Sequence, residues 1–361
     1  MQRSAKFADV AREAAARSDE AGSLDGVVWA ALWETGLAMA PFAPALGGSG
    51  LGLLGMENML CSILRLIGGA DLSVARLFEG HVNAVMLVSR YGTPHQIEAL
   101  AESVRKGSLS GVWGAEDAAG LRRESLGSSW KLIGTKIFAS GAGSVSRPLI
   151  TVATPSGPVL YLLDFDASKR ADYSGWTPLG MKASASGTVD LTSIVVSRSE
   201  QIGDAGDYTR QPFFSGGAWR FCAVHLGAME RLAALYCEHL RQRGRDRDPY
   251  QLERVARCTA ACGTTLFWVE EASRRFGDEC LEPAGVVAFS NLTRMVTERA
   301  ALDVLEHVQR GIGLSAFMRP HPIERICRDL ATYLRQPVPD LAMMDAARAV
   351  LDRTLSVGDI A

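Results

Sequence analysis

Long apolar runs are missing from this chain: no uninterrupted stretch approaches the roughly 18 residues that a membrane-spanning helix needs. An excess of either charge is missing too, with 38 Lys and Arg against 40 Asp and Glu and a formal net charge of −2. No overall field is therefore available to gather nucleic acid or an anionic membrane surface. The seven cysteines include no CxxC, and neither they nor the six histidines fall at metal-ligand spacing. Cys258 and Cys262, four apart, share a helix face and read as small core residues in a reducing compartment, so no metal centre is expected. The stretch from Met1 to Asp25 is charged and Ala-rich, with no apolar segment of signal-peptide length. It reads as an amphipathic helix, and the protein as cytoplasmic.

What is present divides the 361 residues into three textures. With 47% apolar and 22% charged residues the chain is a globular one, long enough for two or three packed units. Over residues 1–107 the apolar positions recur at helical spacing, as in Trp29, Leu32, Trp33 and Leu37. A loop rich in Pro and Gly interrupts them, and helices are expected over Met56–Ile67, Asp71–Tyr91 and about Gln96–Lys106. From Ser108 to about Ser197 the segments KLIGTKIF, PLITVAT, PVLYLLDF and TVDLTSIVV are β-branched and separated by turn clusters. No helical period intervenes, which predicts an antiparallel barrel or sandwich and argues against βαβ units. From about Trp219 three apolar seams follow, the first through Leu226, Met229, Ala233, Tyr236 and Leu240. With a fourth helix from near Met343 they predict an up-and-down four-helix bundle. The expected fold is α+β and multidomain: a helical domain over 1–107, a β-domain over 108–205 and a bundle over 206–361.

Gly50, Gly52 and Gly55 spell GxGxxG, but a Pro-rich turn precedes them where a dinucleotide site needs a strand. They read as a turn and a helix start.

The α–β–bundle order brings several strings into register with one family. WAALWETGLAMAPFAPALGGSGLGL (29–53), SRYGTP (89–94), Lys136-Ile137-Phe138-Ala139-Ser140, Leu179-Gly180-Met181-Lys182-Ala183-Ser184 and HPIERICRD (321–329) resemble motifs of the acyl-CoA dehydrogenases in the order that family has them. The resemblance spans about 320 residues and implies an FAD cofactor lying between the β-domain and the bundle. It also implies a homodimer or homotetramer in which the adenosine end reaches a neighbouring subunit. By the same resemblance Phe138 packs on the flavin ring, and Ser140 donates to flavin N5, which takes the hydride. The family's phosphate loop matches Ala115 to Arg122. Leu121 stands in place of its serine, and Arg122 or Arg123 would supply charge. In the bundle, Arg247 keeps an Arg-x-x-aromatic spacing that would meet the neighbour's FAD, while Gly311 and Gly313 retain two of three glycines where backbone approaches the cofactor.

One element of that family is absent. Its dehydrogenases remove the α-proton of an acyl thioester with a glutamate. The two positions where members carry it match Pro337 and Trp219, the latter just before Arg220, and neither is acidic. Asp340 and Glu116 are the remaining candidates for the base. The resemblance thus implies an FAD-dependent oxidoreductase acting on an acyl thioester with a non-standard base. Two alternatives stand beside it: a flavin monooxygenase of the same fold, whose oxygen chemistry needs no α-proton abstraction, and a silent subunit that keeps only the scaffold.

Overall fold

The computed structural model describes residues 1–335, 338–356 and 358. Five helices come first: α1 (Gln2–Ala21), α2 (Gly26–Glu34), α3 (Glu57–Gly68), α4 (Leu72–Tyr91) and α5 (Pro94–Arg105). Their starts are chemically marked. The Asp71 carboxylate accepts the Val74 N–H at the head of α4, and Thr93 and Gln96 form a reciprocal capping box at the head of α5. The GxGxxG stretch lies in turns before α3, and no strand precedes it.

Ten short strands follow: β1 (Ser110–Trp113), β2 (Arg122–Leu126), β3 (Ser129–Ile133), β4 (Thr135–Ala139), β5 (Arg147–Val152), β6 (Val159–Leu162), β7 (Ala171–Asp172), β8 (Gly187–Asp190), β9 (Val195–Val196) and β10 (Gln201–Ile202). They form three small sheets, ordered β1-β5-β6-β10, β2-β3-β9 and β4-β8-β7. The β-domain expected as an antiparallel barrel or sandwich is present, with two differences in detail. The sheets do not close into a barrel, and β1 pairs with β5 in parallel, from Ser110 opposite Arg147 to Trp113 opposite Ile150. Such a pair needs a long connection, and β2 to β4 supply it.

The C-terminal part is helical: α6 (Trp219–Gln242), α7 (Pro249–Phe276), α8 (Pro283–Ile312), α9 (Pro322–Tyr333) and α10 (Pro339–Leu351). α6, α7 and α8 pack on one another, α10 lies along α8, and α9 packs against α6 and α4. α3 joins the bundle through a close crossing with α6. A Cβ on Gly68 would overlap the Val224 carbonyl, and one on Gly227 would overlap the Arg65 carbonyl. Only glycine lets the two backbones approach that far. Among the described residues no helix is long and apolar enough to cross a membrane.

α4 is also tied to β1 by a buried histidine. His81 Nε2 lies 2.8 Å from the Ala38 carbonyl, and the Ser110 N–H donates to its Nδ1 at 3.2 Å. These partners fix a neutral ring with its proton on Nε2. Burial pushes its pKa from the usual 6.5 down to about 4. Between those values the unfolded chain binds a proton that the folded one refuses, so stability falls as pH drops from 6.5 to 4, by roughly 3 kcal/mol. Asp329, pushed up to about 7 by burial beside Asp71, slopes the other way. The contrast between wild type and His81→Gln isolates the imidazole. Urea midpoints are expected to fall more steeply for wild type across that window, and parallel curves would refute the assignment.

Candidate functional site

One large cavity, of about 1410 Å³, opens where α4, the β-domain, α6 and α9 meet. Phe138, Phe213, Phe214, Phe221, Phe276 and Phe317 line it, half of the chain's twelve phenylalanines. Trp176, Tyr208 and Tyr333 add further rings. A wall of this kind suits flat aromatic ligands, for which ring faces and edges supply both burial and orientation.

Phe138 reaches the cavity because its strand is irregular. Lys136 pairs with Val189 and Ala139 with Gly187, so β4 carries an extra residue that β8 does not match. Within that bulge Phe138 has φ of 50°, a conformation that re-aims a side chain out of the regular alternation. Its ring is 58% exposed, facing the cavity. Lys136, one register position away from the bulge, points inward instead and is fully buried. Its Nζ contacts Glu116 Oε1 at 2.5 Å and Thr151 Oγ1 at 2.9 Å, and burial lowers its pKa.

The loop expected to hold phosphate is closed by its own carboxylates. Asp117 Oδ1 accepts the N–H groups of Ala119 and Gly120, at 2.9 and 3.1 Å, and Glu116 Oε2 accepts that of Leu121 at 3.0 Å. Leu121 itself is a core residue. The amides of Ala119, Gly120 and Leu121 are thus taken up by the loop's own two acidic side chains. Glu116 is committed to Lys136 and Leu121 and does not border the cavity, which removes the geometry a base would need. Ala115 does line the cavity, beside Gly114. Arg122 is solvent-exposed at the start of β2.

The remaining expected residues are dispersed. Ser140 does not border the cavity; its carbonyl accepts the Trp113 indole N–H, and its hydroxyl accepts from Ser186 at 3.2 Å. Arg247 is exposed in the turn between α6 and α7. Gly311 is explained by packing, since a Cβ there would strike the Tyr236 ring, while a Cβ at Gly313 would meet nothing. Asp340 is exposed in the first turn of α10 and is not a cavity residue. Trp219, at the alternative base position, is buried in the core. Pro337, at the usual base position, lies outside the described residues.

Sequence reasoning missed the polar stripe of α4. Arg76, Glu79, Gly80, Asn83, Met86, Leu87 and Arg90 fall at steps of one or three residues and face the cavity. Glu79 is only 3% exposed. Arg76 Nη1 and Asn83 Nδ2 each donate to one of its oxygens at 2.5 Å. Glu324, the other cavity carboxylate among the described residues, is held by both sides of the Arg328 guanidinium at 2.5 and 3.1 Å. The signal for the stripe was the polar i, i+3, i+7 set Arg76, Glu79 and Asn83 inside a helix that is otherwise mostly apolar.

Comparison with known proteins now fits this geometry. Residues 2–108 match the family model for the acyl-CoA dehydrogenase N-terminal domain. Among solved structures, FMN-bound TdsC from Paenibacillus sp. A11-2 is similar with TM-score 0.84 at 20% identity, covering 99% of this chain and 98% of that one. Methanesulfinate monooxygenase MsuC from Pseudomonas fluorescens gives 0.83 at 18%, covering 99% and 97%. Butyryl-CoA dehydrogenase from Megasphaera elsdenii gives 0.83 at 18%, covering 97% and 98%. Sequence comparison with curated proteins yields no match. The resemblance to the acyl-CoA dehydrogenase family therefore holds: the N-terminal domain matches its family model and the whole chain carries its fold. That fold houses dehydrogenases and monooxygenases alike. A flavin ring fits the aromatic cavity beside Phe138, whereas the self-capped loop at 116–121 does not fit a diphosphate.

Proposed function

We propose that this chain is a flavin-dependent monooxygenase that oxidises a small organic substrate in the aromatic cavity. The observation that carries the reading is that both described carboxylates in the cavity are clamped by arginine, leaving neither as a free base for proton abstraction. The capped loop leaves the amides of Ala119, Gly120 and Leu121 engaged and so gives no support to diphosphate binding there, which favours FMN over the FAD of the family resemblance. Bound in reduced form, the flavin would supply the activation of dioxygen. The protein's own part is to stack the ring on Phe138, exclude water with the phenylalanine wall and hold the substrate against the stripe of α4. That charged stripe is poorly suited to an acyl chain, which gains its affinity from apolar burial.

The test supplies the purified protein with FMN and with FAD. Under anaerobic conditions butyryl-CoA and octanoyl-CoA are expected to leave the visible flavin absorbance unchanged. With reduced flavin and oxygen, an aromatic acceptor such as indole is expected to be hydroxylated. Bleaching by either acyl-CoA would restore the dehydrogenase reading, and failure to bind either flavin would restore the silent scaffold.

A further inference from the structure

Among the described residues five arginines line the cavity, and four of them are accounted for. Arg76 is paired with Glu79 at 2.5 Å, Arg328 with Glu324 and Asp19, and Arg335 with Glu298 at 2.7 Å. Arg90 is solvent-exposed and lies over the Phe213 ring. The fifth, Arg220 in the first turn of α6, is different. It is only 7% exposed, and its Nε and Nη1 atoms are fully buried without a hydrogen-bond partner. Its immediate neighbours are the rings of Trp219 and Phe276, 5.7 and 5.3 Å from the guanidinium carbon, and the backbone of Gly217, where a Cβ would overlap the guanidinium.

The nearby carboxylates are spent elsewhere. Glu79 serves Arg76 and Asn83, and Glu57 accepts the Gly55 N–H at 2.9 Å. Burial lowers the Arg220 pKa to about 10, so it stays charged at neutral pH. A buried guanidinium without an anion is strongly unfavourable, and proteins retain such groups where a ligand completes them. Two more buried polar atoms on the same cavity also lack partners, the Tyr333 hydroxyl and Asn83 Oδ1. The first is a donor on the Arg76 side of the cavity, and the second is an acceptor for a protonated group on the ligand.

We propose that Arg220 is the docking site for an anionic oxygen group, a carboxylate or sulfinate, on the substrate. The substrate is then an organic acid whose apolar body lies against Phe221 and Phe276. This deepens the monooxygenase reading and rests on it for the word substrate. The binding itself requires neither flavin nor turnover, so the two can fail separately.

The test is calorimetric titration of the flavin-free protein with benzoate, with benzamide as its neutral counterpart, and with inorganic phosphate to represent a flavin phosphate. Wild type is expected to bind benzoate at least tenfold more tightly than benzamide. Arg220→Met is expected to lose that preference and Arg220→Lys to keep part of it. Because the guanidinium has no protein anion, Arg220→Met is also expected to melt at or above the wild-type temperature without ligand and to gain nothing from benzoate. A fall of several degrees in its melting temperature would mean that Arg220 is a structural residue and would overturn the proposal. So would equal binding of benzoate and benzamide, or phosphate displacing benzoate at equal concentration, which would reassign the site to the cofactor.

Discussion

Gly227→Val is expected to destabilise the protein by at least about 3 kcal/mol, at the upper end of what overpacking costs. α3 and α6 cross with Gly68 and Gly227 in the contact, and each position faces a backbone carbonyl of the other helix. A backbone oxygen cannot swing aside as the end of a lysine could, so any Cβ at 227 forces the helices apart. Even Ala should cost about 2 kcal/mol by the same argument. Separation would also stretch the Arg65–Glu230 ion pair, 2.6 Å long across the same crossing. It would further displace Arg220 and Phe221, two turns earlier on α6, so the cavity should widen as stability falls. Gly263→Ala is the matched control. Gly263 sits within α7 with nothing near its absent Cβ, so the substitution should be stabilising by up to about 1 kcal/mol through helix propensity alone. Urea unfolding of the three variants measures the comparison. A Gly227→Ala protein as stable as wild type would show that the crossing is looser than described.

Legibility in the sequence followed the range of the interactions. α4 was readable from Asp71 to Tyr91 because its stop, Gly92-Thr93-Pro94, acts within one turn of the chain. The bundle seams were readable because a 3.6-residue period reports burial directly. The parallel pairing of β1 with β5 was not, since it depends on where a connection of some thirty residues returns. Site residues divided in the same manner. Phe138 could be placed on a strand, but the bulge that turns it to the cavity arises from its register with β8. Leu121 was visible as a departure from a phosphate loop and Glu116 as a candidate base, yet only the geometry reveals carboxylates occupying the amides. Arg220 was passed over as the neighbour of a missing base. Its isolation is a property of everything around it, and no local pattern encodes that.

Replacing Glu79 by Gln separates the two chemistries this fold supports. Glu79 is the only buried carboxylate on the α4 stripe. If proton abstraction occurred in this cavity, Glu79 would be the best-placed group to perform it. Both of its oxygens are engaged, however, by Arg76 and Asn83. A base so held must give up a hydrogen bond before either oxygen can reach a substrate proton. Its expected role is positioning: it orients Arg76 and Asn83 toward the ligand. Glu79→Gln leaves Arg76 largely buried without its counter-ion, and the loss of stability is expected to be roughly 2 to 3 kcal/mol, below the range for a fully buried pair because the arginine retains some water contact. On oxygen transfer it should raise KM several-fold and change kcat little, since orientation of the substrate weakens while the flavin face is untouched. A general base would behave otherwise, with kcat falling by about 10² to 10⁴. The decisive measurement is exchange of the α-protons of butyryl-CoA in deuterated water. Wild type and Glu79→Gln are expected to show the same background rate. Exchange catalysed by wild type and abolished in the variant would make Glu79 the missing base and the protein a dehydrogenase.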